Sequence, residues 1–140
     1  MGLSMNVKAV LESHEMLKGK IMIILKEVEQ MRSLAEDVIA NASEAKRGHL
    51  IAKAFDIDKR LNEEYDRYVV LQEKISRIID TVGDESELIA LKCVYILHYT
   101  NERAANEMGY SVRHVGRLLK SGLEKLQEIY NDVDINDIEI

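Results

Sequence analysis

From Val7 onward the apolar residues return on a seven-residue cycle. With Val7 at position a, Val7, His14, Ile21, Val28 and Ala35 occupy a, and Val10, Leu17, Ile24, Met31 and Val38 occupy d. Nine of these ten are apolar over five heptads, the pattern of a helix laid along a coiled-coil-like seam. Leu11, Leu25 and Ile39 widen the stripe at e, as suits a helix that faces more than one neighbour. Nothing on the way stops it: the chain has no proline, the residue that removes a backbone donor and clashes with the preceding turn. Gly19 falls at f, on the outer face, where it costs about 1 kcal/mol of helix propensity and disturbs no packing. The one polar seam residue, His14, reads as a register-setting or partly exposed side chain. This first helix is expected over roughly residues 6–42.

A second frame follows in Ile51, Ala54, Leu61, Tyr65, Tyr68, Ile75, Ile79 and Val82, interrupted by Asp58 and Gln72. Gly48 and Gly83, in "SEAKRGH" and "TVGDESE", read as helix stops followed by new starts. The second helix is therefore expected over roughly 50–82, folded back antiparallel through a short connection around Gly48. Tyr65 and Tyr68 read as core residues with hydroxyls reaching water rather than as a base-stacking platform. A helix of more than 30 residues is on the order of 50 Å long. Two such helices bury one seam against each other and leave apolar positions over. A homodimer through the hairpin is the expected remedy.

The last third changes character. Asp84, Glu85 and Ser86 offer capping and negative charge at a helix start. In "ELIALKCVYILHYT" the inward candidates include Leu88, Leu91, Tyr95 and Tyr99. Cys93 reads as an inert buried thiol, and His98 as an imidazole complementing the dipole at the helix end. Residues 101–120, "NERAANEMGYSVRHVGRLLK", then fit a helix-turn-helix. Ala104, Ala105 and Met108 supply small or apolar surface for the helix crossing, and Gly109 supplies the turn's positive φ. Ser111 caps the second helix. Val115, Leu118, Leu119, Gly122 and Leu126 share one face of it, with Arg113, Arg117, Lys120 and Glu124 opposite. That segregation suits a recognition helix, about 111–127, placed in the major groove. Ser111, Arg113, His114, Arg117 and Lys120 are the candidate DNA-binding residues, His114 on the flank. Arginine can pair bidentately with guanine, and either cation can neutralise phosphate.

Charge sharpens the reading. Arg113, Arg117, Lys120 and Lys125 against Glu124 give residues 109–127 a net charge of +3, while the whole chain carries −6. Binding is decided by the local patch, so the acidic total argues only against strong nonspecific binding.

Residues 91–126, "LKCVYILHYTNERAANEMGYSVRHVGRLLKSGLEKL", resemble the fourth region of bacterial sigma factors. The chain is closer still to the small phage and prophage late transcription activators of the ArpU/RinA type. Those proteins similarly join a long helical N-terminal half to a sigma-like helix-turn-helix, so the resemblance covers nearly the whole chain. Its sharpest elements are the turn "MGYS", the basic helix after it and the terminal "GLEKL". The resemblance implies sequence-specific binding to phage or host promoter DNA, with RNA polymerase as a further partner. Ala104, Gly116 and Gly122 depart from the pattern, which usually has a larger aliphatic, an Arg and an Ala at these positions. Gly116 deletes a contact unless it lets the backbone approach phosphate.

Other function classes are poorly served. The chain has no phosphate-binding glycine loop, no HExxH and no paired-cysteine motif, and its histidines are scattered among different helices, so no enzyme, cofactor or metal is expected. The single Cys93 excludes an internal disulfide and points to a reducing, cytoplasmic setting. No apolar run of about 18 residues is available to cross a membrane. "MGLSMNVKAVLESHE" lacks the features of a secretory signal, and Asn6 stands where N-myristoylation expects a hydroxyl residue. The expected protein is all-α: a long antiparallel, coiled-coil-like hairpin (1–82) for oligomerisation, then a helix-turn-helix bundle (84–130). An acidic tail (131–140) follows, either disordered or screening the basic helix. The expected function is sequence-specific regulation of phage or prophage transcription. The alternatives are a polymerase-binding adaptor and a phage small terminase subunit, in which the helix-turn-helix usually comes first.

Overall fold

The computed structural model describes residues 5–38 and 43–138, and of residues 35–38 the backbone alone. Five α-helices follow one another: α1 (Val7–Val38), α2 (Glu44–Asp80), α3 (Glu85–Tyr95), α4 (Asn101–Met108) and α5 (Val112–Ile129), with a 3-10 turn at Ile135–Asp137. The long α1 and α2 pack antiparallel, and α3, α4 and α5 pack on one another. Among the described residues no helix is long and apolar enough to cross a membrane.

Local chemistry sets the helix ends. Asn6 opens α1, its side chain accepting from the Ala9 amide at 3.1 Å. Ser43 opens α2: its carbonyl accepts from Arg47 N at 3.0 Å and its hydroxyl from Lys46 N at 3.4 Å. Gly48 therefore lies inside α2 and is not the expected stop, because a Ser cap followed by Glu44 starts the helix earlier. The e-position residue Ile39 lies outside the described residues. Gly83 does mark a break, with φ +88, and Asp84 caps α3 by accepting from Glu87 N at 2.9 Å.

Contacts divide the chain into two compact units, residues 1–15 with 69–140, and residues 16–68. The division falls within the long helices. In the first unit Val7 and Leu11 of α1, Ile75, Ile78 and Ile79 of α2, and Leu91 of α3 are buried with Ala104, Ala105, Val115 and Leu126. The Gln127 side chain accepts from Val7 N at 2.9 Å and donates to the Met5 carbonyl at 2.8 Å, which ties the start of α1 to α5. His14 is fully buried here and not partly exposed. Its Nδ1 lies 3.3 Å from the Tyr95 carbonyl and its ring stacks on His98, centroids 4.9 Å apart. His98 itself is past the end of α3, at φ +58, and so is no longer part of that helix's last turn. The tail is described as far as Ile138. Tyr130 Oη meets Thr81 Oγ1 at 3.0 Å, and Val133, Ile135 and Ile138 rest half-buried on the core.

In the second unit, Ile24 and Ile57 are the buried apolar side chains among the described residues. Leu17, Ile21, Val28 and Met31 of α1 and Leu50, Leu61 and Tyr68 of α2 are half-buried, and Arg60 pairs with Glu27 at 3.3 Å. Ile51, Asp58 and Tyr65 are exposed, so the α2 frame drawn from sequence is corrected. The inward stripe uses Leu50, Ile57 and Glu64 in their place. Tyr65 is therefore not a core residue, while Tyr68 beside it is half-buried.

Candidate nucleic-acid interface

The turn between α4 and α5 is built from backbone chemistry that each residue suits. Thr100 caps α4, accepting from Arg103 N at 3.2 Å. Gly109 ends it in the left-handed conformation, φ 73 and ψ 28, where a side chain would be strained. The Tyr110 amide reaches back to the Ala105 carbonyl at 2.9 Å, closing the helix end. Ser111 Oγ then accepts from His114 N at 3.1 Å and starts α5. Ala104 and Ala105 are buried beneath the crossing, as are Val115, Leu119, Gly122 and Leu126 of α5.

Gly122 has a reason that its helix propensity hides. A Cβ there would come within 2.9 Å of Leu91 Cδ1 and 3.4 Å of Glu87 Cβ, so glycine lets α3 and α5 approach closely. Gly116 is different: a Cβ would meet nothing within 4 Å. It borders a groove of about 510 Å³ shared with Lys8, Asn101 and Lys120, so the α5 backbone is open to approach at that point.

Of the sequence-derived site residues, Arg113, Arg117 and Lys120 are exposed and share the outward face of α5, turned away from Val115 and Leu119. Ser111 is exposed and occupied as the cap. His114 is half-buried on the flank, edge-on to Tyr110 with ring centroids 4.6 Å apart. Lys125 does not belong to the patch. Its Nζ donates to Glu87 Oε1 at 2.9 Å, alongside Ser121 Oγ at 2.8 Å. Glu87 is 5% exposed, and a carboxylate so buried must be paired and hydrogen-bonded. The outward face is thus Arg113, Arg117 and Lys120 against Glu124, a net of +2.

One residue escaped the sequence reading. Arg103 of α4 lies 4.0 Å above the Tyr99 ring, a cation–π contact that steadies a long side chain. In a helix-turn-helix the first helix crosses the phosphate backbone, which makes an exposed Arg in the first turn of α4 a candidate phosphate contact. The signal was available in "TNERAAN", but it needed the Tyr99 ring to give the side chain a position.

Cys93 is buried, and burial, helped by Glu107, pushes its thiol above its ordinary range, so it has little thiolate to react. Among the described residues no three His, Cys, Asp or Glu side chains are placed to hold a metal ion. Compared with known protein families, curated proteins and solved structures, the chain matches none.

Proposed function

We propose that this chain is a sequence-specific DNA-binding transcription regulator that presents α5 to the major groove and works as a homodimer. The observation that carries this reading is the pairing of a Gly109 left-handed turn and a Ser111 cap with a segregated α5. One face of α5 is locked to α3 and α4, and the other holds Arg113, Arg117 and Lys120 in solvent. Direct readout needs this division, since a helix that reads bases must be held from behind while its long cations reach forward. Arg103 joins as a backbone contact, and Ser111 and His114 sit at the end of α5 that enters first. The resemblance of residues 91–126 to sigma region four and to the ArpU/RinA-type phage activators supports the same role. Promoter DNA is then the ligand and RNA polymerase the further partner.

The test is selection of genomic fragments on the whole chain at about 150 mM salt, beside the Arg113→Ala/Arg117→Ala variant. Enrichment of one short site by the parent chain, lost in the variant, is the expected result. A site held equally well by both proteins removes α5 from the interface. If the parent enriches nothing, independent DNA recognition is abandoned in favour of a polymerase-binding surface.

A further inference from the structure

Val112 is the first residue of α5 and is 44% exposed. Ser111 before it is spent on the cap, and the buried stripe of α5 begins only at Val115. A lone exposed valine is ordinary surface. Gly116, four residues further on, makes this one different. Its φ is not positive, and a Cβ there would meet nothing within 4 Å, so neither backbone nor packing asks for glycine. Glycine nevertheless weakens a helix interior. Gly19 and Gly48 are equally open, but Glu15 and Glu44 stand four residues before them, where Val112 stands before Gly116.

At about 100° per residue, Val112 and Gly116 fall about 40° apart on one flank of α5. Val115 and Leu119, both buried, lie to one side of that flank, and the exposed Lys120, Arg113 and Arg117 to the other. An apolar side chain followed one turn later by bare backbone makes a notch, with the Val112 isopropyl group as its wall and the chain at Gly116 as its floor. Side chains at the N-terminal end of a helix that enters the major groove meet base edges. There thymine shows, besides its O4 acceptor, a methyl group that no other base carries. Valine offers no donor or acceptor, so among the base edges that methyl is the group it can hold.

We propose that Val112 and Gly116 seat the 5-methyl group of one thymine, which makes Val112 a specificity-determining residue beside the cations. Arg113, Arg117 and Lys120 supply polar and phosphate contacts. The notch adds an apolar one, and glycine at 116 lets the α5 backbone come close enough to the base to make it. This rests on α5 being the DNA-facing helix, as proposed above, and names what that helix reads at one position.

Equilibrium binding of the whole chain to the site it enriches from genomic DNA tests it, with each thymine replaced in turn by deoxyuridine, which lacks only the methyl. At one position the replacement is expected to weaken parent binding roughly fourfold, the worth of one buried methyl, while Val112→Ala binds both DNAs alike. Gly116→Leu is expected to keep its helix content by circular dichroism, since its Cβ has room, and to bind about tenfold or more weakly. A parent indifferent to every replacement overturns the proposal. So does a Val112→Ala protein that keeps the fourfold dependence, or a Gly116→Leu protein that binds like the parent. In those cases a site is still bound, and only the notch fails. A parent that enriches no fragment fails the DNA-facing role of α5 and the notch together, so the two failures are told apart.

Discussion

The same two long helices are treated in opposite ways at their two ends. Near residues 5–15 and 69–82 they are covered by α3, α4 and α5, and Val7, Leu11, Ile75, Ile78 and Ile79 are buried with contributions from every helix. Over residues 16–68 α1 and α2 pack on each other, and Ile24 and Ile57 are the apolar side chains taken out of water among the described residues. The apolar content of the helices does not account for this, since Met22, Ile23, Leu25, Leu34, Ile51 and Phe55 all lie in the thin unit. What differs is the number of layers. A helix pair buries one stripe per helix, whereas a third and fourth helix bury the flanks as well. One end of the chain is complete as a domain, and the other has the composition of a bundle without the helices to finish it.

The largest effect that can break this contrast is a cavity. Leu91→Ala, in the filled unit, is expected to cost roughly 2–5 kcal/mol. Phe55→Ala, removing a larger but exposed side chain, should stay within about 0.5 kcal/mol at low protein concentration. Urea unfolding followed by circular dichroism measures both, and equal losses would mean that the two units are packed alike. Next comes overpacking. Gly122→Ala is expected to lose about 1–3 kcal/mol of packing against Leu91, offset in part by about 1 kcal/mol of helix propensity. In the Leu91→Ala background the clash is gone and the sign should reverse, which a double-mutant cycle reads directly.

How much of this was legible beforehand depended on distance along the chain. Gly109 and Ser111 act on neighbours within four residues, so the turn and the cap could be placed from sequence. The α1 heptads could be placed too, because a single frame fits them. In α2 two frames share Ala54, Leu61 and Tyr68, and choosing Leu50, Ile57 and Glu64 over Ile51, Asp58 and Tyr65 is decided by where α1 lies. The reassignment of Lys125 from the basic face to Glu87 spans 38 residues, and the stacking of His14 on His98 joins α1 to the segment after α3. No local pattern marks such pairs. The outward cations were found because a buried face and an exposed face of one helix are periodic, whereas Arg103 was missed because its position depends on a ring in the preceding loop.

Smaller effects sharpen the comparison at the helix starts. Ser111→Ala removes the acceptor for His114 N and is expected to cost about 1 kcal/mol, read as a lower urea midpoint. The end of α5 proposed to meet DNA would fray with it, so under that proposal DNA affinity should fall more than global stability does. Equal losses would mean that the cap serves the fold alone.

The smallest expected change tests the reading of the hairpin itself. Gly48 lies inside α2, one turn after the Ser43 cap, and a Cβ added there meets nothing within 4 Å. Gly48→Ala should therefore stabilise the protein, by up to about 1 kcal/mol, through helix propensity alone. A glycine ending one helix before another begins would sit in the left-handed region, as Gly109 does at φ 73, and alanine there would destabilise by about the same amount or more. The sign of one substitution thus separates a continuous α2 starting at Glu44 from a helix that starts after Gly48.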